Sequence, residues 1–245
     1  MGGVSGLSGI SSVPGIFGCS YYDKVLWYEP IAFWPLNELS GSVAHDWSGN
    51  GLHGSITGCT LGQSGPGGLG AFYFDGVNDY VGAGASVLSA LNGGLFNGDE
   101  GTLAVWARAY DATVWTDDAE RAIGRLFVDD NNYIMLHRNV ASNRPTWIHR
   151  RGGTYEVGDK TTSTTAWFYT ATTWSASGDI VQYRWNGAQM NANDTGLGTW
   201  AGDLTKVYFG SSDGLSFYWK GWISCIVLFD YAMTTAQMDD LYVIS

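Results

Sequence analysis

Charge is scarce in this chain of 245 residues: Asp, Glu, Lys and Arg make up only 14% of it. The 12 basic residues face 23 acidic ones, and the formal net charge is −11. Phosphate binding needs a basic face, and Arg150–Arg151 is the only adjacent basic pair, so nucleic acid is excluded as a partner. Glu is rarer still, with 5 residues against 18 Asp. Asp suits turns and Glu suits helices, so the acidity follows turn chemistry rather than a helical or tail-like run. Cysteine is limited to Cys19, Cys59 and Cys225, with no CxxC spacing. That odd number implies neither a disulfide framework nor a zinc site, although one pair could close in an oxidising space. No apolar run is long enough to span a bilayer. The opening 24 residues lack a basic n-region and a continuous apolar h-region, so they do not read as a secretory signal. The expectation is a chain made in the cytosol that stays there, or leaves within an assembly released by lysis, such as a virus particle.

What is abundant is Gly (35) and aromatic side chains (12 Trp, 14 Tyr, 10 Phe). Strands joined by tight turns use this mixture and long helices do not. "GTLAVWARAY" (101–110) alternates, with Leu103, Val105, Ala107 and Ala109 on one face. "NYIMLHR" (132–138), "PTWIHR" (145–150), "AWFYTATTW" (166–174), "IVQYRW" (180–185) and "KVYFGSS" (206–212) continue the series. Asn186–Gly187 between alternating runs marks a two-residue hairpin, and Gly152–Gly153 plays a similar part. One helix stands out, "TTAQMDDLY" (234–242), where Thr234 and Gln237 form a capping box. It follows a long strand over 216–231. Many short strands with regular turn signals predict an all-β sandwich of about 29–245, closed by a short C-terminal helix.

Residues 1–28 read as a separate Gly/Ser-rich arm. Val4, Leu7, Ile10, Val13, Ile16 and Phe17 recur among small residues that cannot form a core alone. Such a segment either lies extended on a partner, adding a strand to its sheet, or is a disordered tail.

Several motifs, in order, carry a resemblance to a known family. "IAFWPLNELSGSVAHDWSGNGLHGSITG" (31–58), Phe74 to Val81, "GTLAVWARA", "AWFYTATTWSASGDIVQYRWNG" and "GWISCIVLFDYAMTTAQMDDLY" together cover most of 31–242. They resemble laminin-G-like domains of the concanavalin A-like lectin/glucanase superfamily. The resemblance implies an antiparallel two-sheet jelly roll. Ser224 and Cys225 stand where that family often has an acidic pair.

Three kinds of site remain open. Retaining glycosidases need two carboxyls roughly 5–5.5 Å apart, and the glucanase relatives carry them in a Glu-x-Asp-x-x-Glu run. This chain has no such run, nor a G-x-S-x-G elbow or HExxH motif, so no catalytic residue is expected. Calcium takes six to eight oxygens from Asp, Asn, carbonyls and water. The loop Asp46–Asn50 and the turn Asp75–Asp79 could supply them, and the resemblance implies that such segments lie near each other. Asp46, Asn50 and Asp79 are the side-chain candidates for one structural Ca²⁺; the alternative is Asx-type turns at both places. Trp47, Trp115 and Trp200 lie in loop-like sequence beside Asp, Thr or Gly. They are either stacking platforms for sugar or packing residues.

The expected function is a non-enzymatic structural or decoration protein on a bacteriophage virion surface. It would be anchored by the arm to other virion proteins or to copies of itself, and would be adhesive toward host-surface glycans. The alternative is a lectin-like adhesion module of a microbial extracellular protein. A glycosidase is the reading with least in its favour.

Overall fold

The apolar alternation resolves into two stacked antiparallel sheets in a computed structural model that describes residues 20–244. The strands, in chain order, are β1 (Ala32–Trp34), β2 (Val43–Ala44), β3 (Gly54–Thr57), β4 (Thr60–Ser64), β5 (Gly70–Asp75), β6 (Tyr80–Ala83), β7 (Glu100–Ala109) and β8 (Arg121–Asp129). They continue with β9 (Asn132–Asn139), β10 (Arg144–Arg151), β11 (Thr154–Asp159), β12 (Phe168–Ser175), β13 (Ile180–Trp185), β14 (Ala188–Gln189), β15 (Lys206–Phe209) and β16 (Lys220–Phe229). One sheet runs β14-β13-β12-β7-β16-β5-β4, with β1 also pairing β16; the other runs β11-β10-β9-β8-β15-β6-β3-β2. The helices are α1 (Tyr21–Trp27), α2 (Ala85–Ala90) and α3 (Thr235–Asp240).

Turn chemistry places the strands as expected. Asn186 and Gly187 both adopt positive φ (48° and 73°) between β13 and β14. Gly152 and Gly153 do the same between β10 and β11. These are the values a two-residue hairpin demands. Thr234 caps α3 through the Gln237 amide, and the Gln237 side chain answers to the Thr234 N–H. The long strand expected over 216–231 is shorter, Lys220–Phe229, and shifts register between Ser224 and Val227 around Cys225. Burial pushes the Cys225 thiol up to about 12.

The main core lies between the sheets, with Phe72, Phe74, Leu103, Val105, Leu126, Ile134, Trp147 and Trp174 all at or near zero exposure. A second apolar layer covers the outside of the first sheet. There Phe33, Trp106, Tyr169 and Val227 pack against Tyr21 and Val25 of α1 and Met238 of α3. Both faces of β7 are therefore buried, although its sequence shows only one alternating apolar face.

This layer corrects the boundary of the arm. Residues 20–28 are not part of a separable tail. Ser20 and Asp23 form a capping box, and α1 presents Tyr21 and Val25 inward. The Tyr21 hydroxyl donates to the Leu241 carbonyl at 3.0 Å and accepts from Trp106 Nε1 at 3.1 Å. Val4, Leu7, Ile10, Val13, Ile16 and Phe17 lie outside the described residues.

Two polar contacts tie the sheets together. Trp147 Nε1 donates to Thr170 Oγ1 at 2.7 Å, and His149 Nε2 lies 2.8 Å from Thr172 Oγ1. Burial, with Arg151 adding repulsion, drives the His149 pKa down from 6.5 to about 3. The folded protein thus holds His149 neutral where the unfolded chain protonates it. Stability from this residue is complete above pH 6.5 and declines as pH falls toward about 3. The slope approaches one proton, about 1.4 kcal/mol per pH unit. Denaturation curves of the protein and of His149→Phe between pH 7 and about 3.5 should differ by that slope; parallel curves would refute it.

Candidate functional site

A surface concavity forms where α1 ends, β1 begins and the 46–50 loop crosses them. It is an open groove of about 600 Å³, lined by Leu26, Glu29, Pro30, Ile31, Trp47, Ser48, Asn50 and Asp230. A second void, about 10 Å³ between Leu103, Leu136, Trp147 and Phe209, is sealed in the apolar core and too small for a ligand.

The groove is built by the buried Asp46 carboxylate. Its Oδ1 accepts the N–H groups of Phe33 and Ser48, each at 2.9 Å. Its Oδ2 accepts the Leu52 N–H at 2.9 Å and the Ser48 hydroxyl at 2.8 Å. Asn50 donates its amide to the Ile31 carbonyl at 2.9 Å, and the Trp47 N–H donates to Phe33 at 2.8 Å. With its backbone fixed on β1, the Trp47 indole is turned outward and is 41% exposed. The Tyr22 ring meets it at 5.3 Å and 65°, supporting it from one side. Glu29 reaches the rim through a left-handed backbone (φ 53°) after the α1 cap, and Asp230 follows the end of β16. Glu29, Asn50 and Asp230 are all exposed. The site therefore presents an aromatic surface, an amide and two carboxylates around one open space.

Solved structures with this fold include receptor binding domains of botulinum neurotoxins and one domain of an arabinanase. The botulinum neurotoxin serotype D binding domain is 14% identical, with a TM-score of 0.64 over 87% of this chain and 51% of its own. The type G receptor binding domain is 14% identical, with a TM-score of 0.62 over 87% of this chain and 50% of its own. This chain thus spans about half the length of these neurotoxin domains. Domain 4 of AbnA, a GH43 extracellular arabinanase from Geobacillus stearothermophilus, solved in complex with arabinotriose, is 18% identical. Its TM-score is 0.64, covering 87% of this chain and 98% of that domain. The likeness is one of fold. Neither a protein-family profile nor a curated protein sequence matches the chain.

The structure separates the three tryptophans. Trp47 lines the groove and is half-exposed. Trp115 is 1% exposed, donates to the Thr164 carbonyl at 2.8 Å and packs on Trp219 and Phe168, so it is a core residue. Trp200 is 7% exposed against Phe96 and the backbone of Gly98, where a Cβ would fall 2.3 Å from the indole. Both are corrected from sugar platforms to packing residues; Gly and Thr neighbours made them look like loop residues.

Two of the expected metal ligands, Asp46 and Asp79, accept backbone N–H groups that shape turns. Asp46 accepts three backbone N–H groups and lies within reach of the Ser48 hydroxyl, which also faces the Ile31 carbonyl. Asp79 is buried and accepts the Asp75 N–H at 2.8 Å, while Asp75 accepts the Val77 N–H at 2.7 Å. Burial raises the Asp79 pKa above the usual carboxylate value, a direction the Asp75 N–H opposes. Among the described residues, no three His, Cys, Asp or Glu side chains converge as a metal site. The "DGVND" stretch is a closed Asx turn that aims β5 and β6.

Sequence reasoning missed Tyr22, Leu26, Glu29 and Asp230. The first two fall within the arm that composition predicts, yet Ser20-x-x-Asp23 is a helix-start signal that marks their helix.

Proposed function

We propose that this chain is a non-enzymatic carbohydrate-binding module of laminin-G-like type, and that it holds sugar in the Trp47 groove. The exposed indole beside Asn50, Glu29 and Asp230 carries the reading. Sugar sites pair an apolar ring face with a few polar groups that read hydroxyls. Support comes from the arabinotriose-bound neighbour of the same fold. Glu29 and Asp230 are solvent-exposed, so the desolvation on which glycosidase acids depend is missing. No described helix is long and apolar enough to cross a membrane. A setting on a virion surface rests on the apolar arm, and loss of particle incorporation on deleting residues 1–19 tests it.

A glycan array of the full chain against Trp47→Ala is the direct measurement. Binding to neutral oligosaccharides, arabinan fragments included, should weaken by about tenfold or more, equivalent to about 1.4 kcal/mol. Melting temperature should hold, because the ring is on the surface. Glycan binding that survives Trp47→Ala would remove the groove from the mechanism.

A further inference from the structure

The outer face of the second sheet carries a different arrangement. Leu126, Ile134, Leu136 and Trp147 point into the core. Strand alternation therefore turns Arg125, Phe127, Tyr133 and Arg150 outward. Strand register aligns Tyr155, Arg150, Tyr133, Phe127 and Lys206 in one row across β11, β10, β9, β8 and β15. The Arg125 guanidinium lies 4.0 Å from the Phe127 ring centre and 4.7 Å from that of Tyr133. Tyr155, at the end of the row, is 49% exposed.

Two of these cations form no direct ion pair. Arg121, Arg144, Arg151 and Arg184 each pair with an Asp. Arg125 and Arg150 have no carboxylate within ion-pair reach among the described residues. The Nε of each is buried without a hydrogen-bond partner. Buried donors left unpaired are rare, and each calls for a reason.

We infer that this sheet face binds a carboxylate-bearing glycan, with Arg125 and Arg150 reading uronate groups and the exposed Tyr155 stacking on a sugar ring. A planar guanidinium matches a carboxylate bidentately. Two strand spacings and two residue rises separate the arginine Cα atoms by about 12 Å, a span of a few sugar rings. Asp129, Asp130 and Asp213 border the face electrostatically. The inference concerns a face separate from the Trp47 groove and stands independently of it.

The test is calorimetric titration of the full chain with oligogalacturonate, with neutral dextran and dextran sulfate as comparators. Oligogalacturonate should bind, weaken with added salt, and lose about tenfold or more in affinity in both Arg125→Gln and Arg150→Gln. Arg150→Lys keeps the charge but not the fork, and should also bind more weakly. Trp47→Ala should leave this binding unchanged, so failure here and failure of the groove are distinguishable. Circular dichroism melts establish that each variant is folded; a variant that is not is replaced by Tyr155→Ala, on the rim of the face, with the same expected loss. No oligogalacturonate binding, equal binding of dextran sulfate, or unchanged affinity in the folded variants would overturn the inference.

Discussion

A chain beginning at residue 29 is expected to be much less stable than one beginning at residue 20. The difference is α1. Seven residues cannot hold a helix by themselves in water; this one is held by what it buries. Tyr21 and Val25 are 2% and 0% exposed, and Tyr22 and Leu26 pack partly against the same layer. Burying a large apolar side chain contributes about 1.5–3 kcal/mol, so losing the helix costs about 5 kcal/mol. It also strips the partner from Trp106 Nε1 and the Lys24 contact from the Asp240 carbonyl at 2.9 Å. For a domain of this size the melting temperature should fall by roughly 10–20 °C. Exposure of Phe33, Trp106 and Tyr169 should also promote aggregation. Equal melting temperatures for the two chains would show that α1 is dispensable and that the outer layer closes without it.

Asp46→Ala should cost about 3 kcal/mol or more, through three backbone N–H groups at Phe33, Ser48 and Leu52 that lose a buried acceptor. Each unsatisfied donor costs about 1–3 kcal/mol, less where water enters. Asp46→Asn keeps one oxygen acceptor and should fall between the two. The measurement is urea denaturation in calcium and in chelator. Stability of the unsubstituted protein should be the same in both, and the loss in Asp46→Ala the same in both. Calcium-dependent stability that vanishes in Asp46→Ala would instead return Asp46 to the role of a metal ligand. Because Asp46 also fixes the backbone of Trp47, the variant should weaken glycan binding without touching the indole.

Local patterns were enough for much of the architecture. Asn186–Gly187, the alternation of β7 and the Thr234–Gln237 box each act through neighbouring residues, so sequence alone determined the hairpin, the strand and α3. Composition alone determined the all-β class, because abundant Gly and aromatics with scarce Glu and Lys favour strands. Exposure is different in kind. Trp47, Trp115 and Trp200 have similar polar and small neighbours in sequence, yet one faces solvent and two are buried. What separates them is which distant segments arrive: Trp219 and Phe168 over Trp115, Phe96 over Trp200, and Tyr22 against one side of Trp47. Asp46 likewise reads as a ligand or a turn residue until Phe33 and Leu52 bring their amides to it. The groove joins residues as far apart as Glu29 and Asp230, and the arginine row joins five strands. Sequence by itself determined the strands, turns and fold class, since those forces act over a few residues. Tertiary structure alone decided which aromatic is exposed, which carboxylate accepts backbone amides and which cations are left unpaired, since burial and hydrogen-bond satisfaction are set by partners brought from far along the chain.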